Sequence, residues 1–289
     1  MNMNQKQQSM DASFFDEYTS HDAILKYTRS TAGYGISYLL DHDYKDVYCH
    51  ALTLLPPKAT QRSIRILEFG CGGGMNLVHL VSVLKQEGIR VERAVGTDFS
   101  PVLIEAAKRE AGNYLSADDQ NKIVFYVAKN ESLISDISAA SGTDRSQLLN
   151  SFDFILGVNT IRYCHRFHRE LDCAQEIMAL LSPGGICVNI DMNNRFPVFR
   201  SALKNHFRKV KEEECYIPSL EEYAAPFEKM GFELVRKEHF CWIPHSGGEF
   251  TCWLLGGLTP ILNAVAKSRA MRSLVVARKP AETPAKPSS

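Results

Sequence analysis

Glu68, Gly70, Cys71, Gly72, Gly73 and Gly74 bring one carboxylate and four glycines into seven consecutive residues, and Asp98 follows 24 residues after the last of them. Glycines at this density let a backbone approach a ligand that any Cβ would hold away. Asp98 suits a ribose diol, because one carboxylate can accept from both hydroxyls. Glu68 restricts the ligand further: a negative charge two residues before Gly70 repels a phosphate and attracts a cation such as an ammonium or a sulfonium. The dinucleotide pattern G-x-G-x-x-G is also broken, since Met75 stands where that pattern wants Gly or Ala.

A second set of polar side chains lies in Gly157-Val-Asn159-Thr-Ile-Arg162-Tyr163-Cys-His165, with His168 close behind. His165 titrates near neutral pH and is a candidate general base, with Tyr163 as the other catalytic candidate. Arg162 is a candidate wall for the molecule acted upon. The plainer reading makes the whole group caps of the next helix. Asp191 and Asn193 carry a carboxylate and an amide that can orient a polar substrate. Trp242 and His245 sit in a Gly-containing stretch, and Tyr27 and Tyr34 belong to a tyrosine-rich N-terminal segment. These six and Arg162 complete the substrate-facing candidates.

The chain must supply elements that place these residues at one edge. Apolar runs of strand type occur at 65–69, 91–97, 123–127, 152–158, 186–191, 232–242 and 272–278. Helical spacing appears between them at 77–86, 101–111, 169–181 and 219–230, with Ser100-Pro101 as an N-cap signal and Ser182-Pro-Gly-Gly185 as a stop. Alternation of this kind builds a parallel sheet, whose ligands bind outside the carboxyl ends of the strands. Segment 13–60 reads as helical, broken near 31–35. Segment 243–271 is too long for a hairpin loop; its two glycines at 247 and 248 predict a mobile, substrate-facing insertion.

The run E-x-G-x-G-x-G with Asp98 in register resembles motif I of the class I S-adenosylmethionine-dependent methyltransferases. Leu-x-Pro-Gly-Gly before the fifth strand is similar to the same family. The resemblance implies an α/β fold: a seven-stranded, mostly parallel sheet in the order 3-2-1-4-5-7-6, the last strand antiparallel, helices on both faces and an N-terminal helical cap over the active site. The spacing of the cysteines suggests no metal site, and the resemblance implies S-adenosylmethionine as cofactor and S-adenosylhomocysteine as product. Gly70, Cys71, Gly72 and Gly74 are then expected against its methionine and ribose parts, Glu68 on its amino end, Asp98 on the ribose hydroxyls and Phe99 on the adenine face. The family's Asp after the third strand is replaced by Lys129, so Asn130 is the better acceptor there. Asn159 should face the surroundings of the methyl group.

Lys plus Arg and Asp plus Glu both number 33, so no overall field favours a polyanion, and a nucleic-acid substrate is disfavoured. The eight cysteines form no C-x-x-C pair and several lie in apolar runs, as in a reducing compartment. The polar N-terminus lacks a signal-peptide core, and the apolar stretch 250–266 is too short to span a bilayer, so a soluble cytoplasmic protein with no membrane partner is expected. Residues 1–12 and 280–289 are expected to be disordered flanks of a domain at 61–279. The expected reaction is methyl transfer to an N, O or C nucleophile of a small metabolite. The alternatives are a protein or RNA methyltransferase, a non-methylating enzyme on the same fold, and a nicotinamide oxidoreductase. The composition leaves the number of associating copies open.

Overall fold

The computed structural model describes residues 16, 18–20, 24, 27–57, 63–197 and 217–281. The expected flank 1–12, most of 280–289 and part of the 13–60 segment lie outside them.

Seven strands, β1 (Ile64–Phe69), β2 (Val91–Asp98), β3 (Ile123–Val127), β4 (Phe152–Val158), β5 (Leu181–Met192), β6 (Glu233–Phe240) and β7 (Arg272–Arg278), form one sheet in the order 3-2-1-4-5-7-6. The first five pair in parallel, and β7 runs antiparallel between β5 and β6. The expected order and antiparallel strand are those observed. Side chains alternate across the sheet, so Ile64 and Ile66 of β1 enter the core on one face while Leu67 and Phe69 enter the core on the other. Every residue of β4 is buried, which is why its sequence reads as an unbroken apolar run. β5 begins five residues before its expected start: Leu181 already pairs with Phe152, and an irregularity at Gly184, where φ is +78°, separates it from the regular register.

The described α-helices of six or more residues are α1 (Tyr34–Leu39), α2 (Lys45–Thr53), α3 (Met75–Gln86), α4 (Pro101–Tyr114), α5 (Leu133–Ser141), α6 (Ile161–Arg166), α7 (Glu170–Leu180), α8 (Leu220–Lys229) and α9 (Glu249–Ala266). A π-helical stretch, Leu40–Tyr44, joins α1 to α2. Ser100 caps α4 as its sequence predicts, accepting from the Leu103 N–H at 3.3 Å, and Ser219 with Glu222 forms a reciprocal capping box on α8.

The 243–271 insertion packs on the N-terminal segment. The Gly247-Gly248 stretch is a packed turn: Gly247 is buried and donates to the Pro244 carbonyl at 2.9 Å. A Cβ on Gly35 of α1 would lie 2.5 Å from the Pro244 oxygen and 2.8 Å from that of His245. The N-terminal segment and the insertion therefore touch backbone to backbone, which only glycine permits. Most of the remaining insertion is α9, an 18-residue helix.

Candidate functional site

The turn between β1 and α3 requires its glycines. Gly70, Gly72 and Gly74 have φ of +60°, +53° and +77°, in the left-handed region that disfavours a side chain. A Cβ on Gly70 would strike the Thr160 hydroxyl at 2.0 Å, so the turn lies directly beside the exit of β4. Cys71 is buried, and its N–H donates to the Thr97 carbonyl at 2.7 Å, tying the turn to the end of β2.

Asp98 closes this link. Its carboxylate accepts from the Gly72 N–H and the Ser100 N–H, each at 2.9 Å. Burial pushes its pKa up to about 6, against the pull of those two donors. Each oxygen retains acceptor capacity, because an ionised carboxylate offers about four lone-pair sites.

Glu68 is fully buried beneath the turn, and neither carboxylate oxygen has a hydrogen-bond partner. The Asn76 amide and the Leu77 N–H are the nearest stabilising groups, and burial drives its pKa well above the carboxylate range. Asn159, just past β4, has φ of +54° and a buried Oδ1 without a partner. Its N–H donates to the Ile190 carbonyl at 2.7 Å, which fixes this strained conformation. β1 and β4 are neighbours, with Glu68 opposite Leu156. Orphaned buried acceptors on two adjacent strands at the ligand edge are costly unless a donor arrives to meet them.

Asn130 stands at the same place: its Nδ2 donates to Thr160 Oγ1 at 3.0 Å, leaving its oxygen as the acceptor proposed in place of the missing Asp. Phe99 is joined by rings from the N-terminal segment. Tyr18 lies 5.8 Å from Phe99, 5.4 Å from Tyr27 and 5.6 Å from Tyr163 between ring centroids. The Tyr27 hydroxyl donates to that of Tyr18 at 3.1 Å, and the Tyr18 and Tyr163 hydroxyls are hydrogen-bonded. The Ser100 hydroxyl donates to the Tyr18 carbonyl at 2.6 Å, and Ser30 donates twice to Glu110 of α4. Tyr27 sits over Gly72, 3.4 Å from where a Cβ would be. It therefore covers the glycine turn itself. Tyr18 was not among the expected site residues; the signal for it was its membership of the tyrosine-rich segment.

The two catalytic candidates separate. Tyr163 points into the Tyr18–Phe99 cluster, where the Arg162 guanidinium donates to its hydroxyl at 2.7 Å. His165 packs edge-on against Tyr223 of α8, 5.8 Å between centroids, and burial lowers its pKa. Residues i and i+2 of a helix point to different sides, so the short α6 cannot aim both at one centre.

Arg162 also donates its N–H to Asp191 Oδ2 at 3.1 Å, and its Nε lies 3.8 Å from Oδ1. Asp191 is buried and accepts from the Met192 N–H as well, so it anchors Arg162. Asn193 is a correction: it is fully buried, its amide donates to the Ser268 and Ala270 carbonyls at 3.0 and 2.6 Å, and its oxygen accepts from the Arg195 N–H. That side chain staples β5 to the start of β7 and has nothing left for a substrate. Trp242 donates to Asn263 of α9 at 2.9 Å, and His245 pairs with Arg272. Tyr34, half exposed, lines an outer groove with Phe250 and Trp253. Those three do not join the Tyr18–Tyr163 cluster.

Residues 40–237 match the methyltransferase-domain family. The chain belongs to this family, and its sheet order is that of the class I, S-adenosylmethionine-dependent members. No curated protein matches it. Among solved structures it is similar to a chain of the Haloferax volcanii complex between the Trm112 methyltransferase activator and a methyltransferase, at 17% identity and TM-score 0.51, covering 85% of this chain and 92% of that one. The citrinin polyketide synthase CMeT domain is 18% identical at TM-score 0.52, and the match spans 80% of this chain but about half, 49%, of that one. The [4+2]-cyclase SpnF is 16% identical at TM-score 0.51, with 81% and 82% covered. At these identities the likeness is one of fold.

Proposed function

We propose that this methyltransferase moves a methyl group from S-adenosylmethionine to an N, O or C nucleophile of a small metabolite and releases S-adenosylhomocysteine. The observation that carries the reading is the pair of orphaned buried acceptors, Glu68 and Asn159, flanking a turn that must be glycine. Both present buried acceptors to a ligand that brings donors, such as an amino group, and a pyrophosphate brings none.

When bound, S-adenosylmethionine supplies a methyl group already activated on a sulfonium. Asn159 and Glu68 hold the amino end, Asp98 the ribose hydroxyls, and Phe99 with Asn130 the adenine. Tyr18 and Tyr27 exclude water from above. Arg162, fixed by Asp191, orients the acceptor, and its hydrogen bond holds Tyr163 Oη beside it as the candidate proton acceptor. Alignment and water exclusion can supply roughly 7–11 kcal/mol in well-aligned systems, which leaves proton transfer the smaller share. The aromatic roof over the turn favours a small acceptor over a protein or RNA chain. The seven described cysteines are all free thiols, as suits the cytoplasm.

Calorimetric titration with S-adenosylmethionine, S-adenosylhomocysteine and NADH tests the reading. Asp98→Ala should weaken binding of the first two by about 1.5–3 kcal/mol, the worth of hydrogen bonds to a charged group. Unchanged affinity removes the assignment, and NADH binding in their place replaces it. Cofactor binding without S-adenosylhomocysteine release during an acceptor screen identifies a non-methylating enzyme on this fold.

A further inference from the structure

α9 is apolar on every side, yet only one of its residues, Cys252, is buried. Its inner face is docked: Leu255 packs against the core, Asn263 accepts from Trp242, and a Cβ on Gly256 would meet the Tyr38 hydroxyl at 2.6 Å. Its outer face carries Phe250 (70% exposed), Trp253 (68%), Leu254 (42%), Leu258 (38%), Ile261 (61%) and Val265 (75%), and no described residue packs over it. A helix that is hydrophobic all round belongs in an interior. A contiguous exposed patch of this kind marks an interaction surface.

Two features say what covers it. The first is charge. Residues 250–266 carry no charge, Glu249 stands at the N-terminal end, and Lys267 and Arg269 follow the C-terminal end. Antiparallel pairing with a second copy brings each acidic end to a basic one, as a twofold contact does; Lys267 already pairs with Glu238, which leaves Arg269 as the available cation. The second is Gly257. It lies at the middle of α9 on the exposed face, a Cβ there would meet nothing within 4 Å, and a mid-helix glycine costs roughly 1 kcal/mol against alanine. Nothing within the described chain calls for it, whereas a helix crossing at that point does.

We infer that α9 is the twofold interface of a homodimer, in which two copies of this helix pack antiparallel about Gly257. In this arrangement Leu258 of each copy sits over Gly257 of the other. The outer groove of about 740 Å³ lined by Tyr34, Tyr38, Glu249, Phe250, Trp253 and Gly257 receives Ile261 and Val265 of the second copy. An 18-residue helix is about 27 Å long. With the flanking tyrosines this is the scale of a standard interface, about 800 Å² per partner. A lipid surface fits less well, because bilayer-surface helices carry Lys and Arg along their polar face, whereas residues 250–266 carry no charge and Glu249 stands at one end.

Sedimentation equilibrium of the full chain over about 1–50 µM reads the assembly directly, since dimerisation follows mass action. The wild type should give twice the 32.5 kDa of one chain. Ile261→Glu and Val265→Glu should each weaken the dimer about 30-fold or more. Because both side chains face solvent in the monomer, circular dichroism and Tm at low concentration should stay unchanged. Glu249→Lys should weaken association, and combining it with Arg269→Glu should restore it. A single-chain mass for the wild type at every concentration overturns the proposal, as does a dimer indifferent to all these variants. Monomeric wild type that floats with phosphatidylcholine–phosphatidylglycerol vesicles, while Ile261→Glu does not, also overturns it and assigns the face to a bilayer.

Discussion

Site candidates on the two sides of the sheet's ligand edge use their polar groups in opposite ways. Around the glycine turn, the Glu68 carboxylate and the Asn159 Oδ1 are buried with no partner. Past β5, the buried Asn193 has its amide and its oxygen both bonded, and Trp242 and His245 are likewise engaged. Both regions contain polar residues that sequence alone marks as site candidates. For these candidates the difference separates a side chain that the fold leaves open from one that it uses, and buried unpaired atoms also occur past β5, at Asn194 Oδ1 and Arg272 Nε.

The sharpest test of the contrast is Asn193→Ala. It removes the partners of the Ser268 carbonyl and the Arg195 N–H and orphans the buried Ala270 carbonyl, which should lower stability by roughly 1–3 kcal/mol. Denaturant unfolding measures the loss, and cofactor affinity at a temperature where the variant is folded should be unchanged. A variant that keeps its stability but loses acceptor binding would return Asn193 to the site.

Comparable in size is a pH effect on the opposite side. The folded pKa of Asp98, about 6, lies above its ordinary value of 3.8, so the folded state holds the extra proton between them. Stability of the free protein is therefore greatest below about pH 4 as far as this group is concerned, and falls by about 3 kcal/mol as pH rises to about 6. Glu68, also raised, adds in the same direction. Asp98→Asn should flatten the Asp98 part of that slope in thermal melts across the range; an unchanged slope would mean that the burial of Asp98 carries no strain.

The smallest effect concerns α6. Tyr163→Phe should reduce turnover about 10- to 100-fold, roughly 1.4–2.7 kcal/mol, with cofactor affinity retained. His165→Ala should change turnover less than about twofold, given its place against Tyr223. The reverse ranking would put the base on the other side of the helix.

The turn was legible because it is local. Strand, glycines and helix follow one another, and Asp98 comes one crossover later, so spacing alone carries the geometry. Asn193 was misread because its partners lie 75 and 77 residues further on, and nothing near it in sequence announces them. The division between Tyr163 and His165 depends on α6 being helical, which six residues after a strand do not advertise. α9 was hidden by Gly256, Gly257 and Pro260, whose propensities argue against a helix. Yet the apolar spacing from Phe250 to Val265 is helical, and its tertiary setting prevails.

Gly35 has a mechanical consequence. Its backbone abuts Pro244 and His245 so closely that α1 cannot shift there without disturbing residues 244–247. That turn is in turn fastened to Arg272 at the start of β7, the strand beside Asp191. Movement of α1 is thus geared to residues 244–247 and, through His245 and Arg272, to the strand beside Asp191.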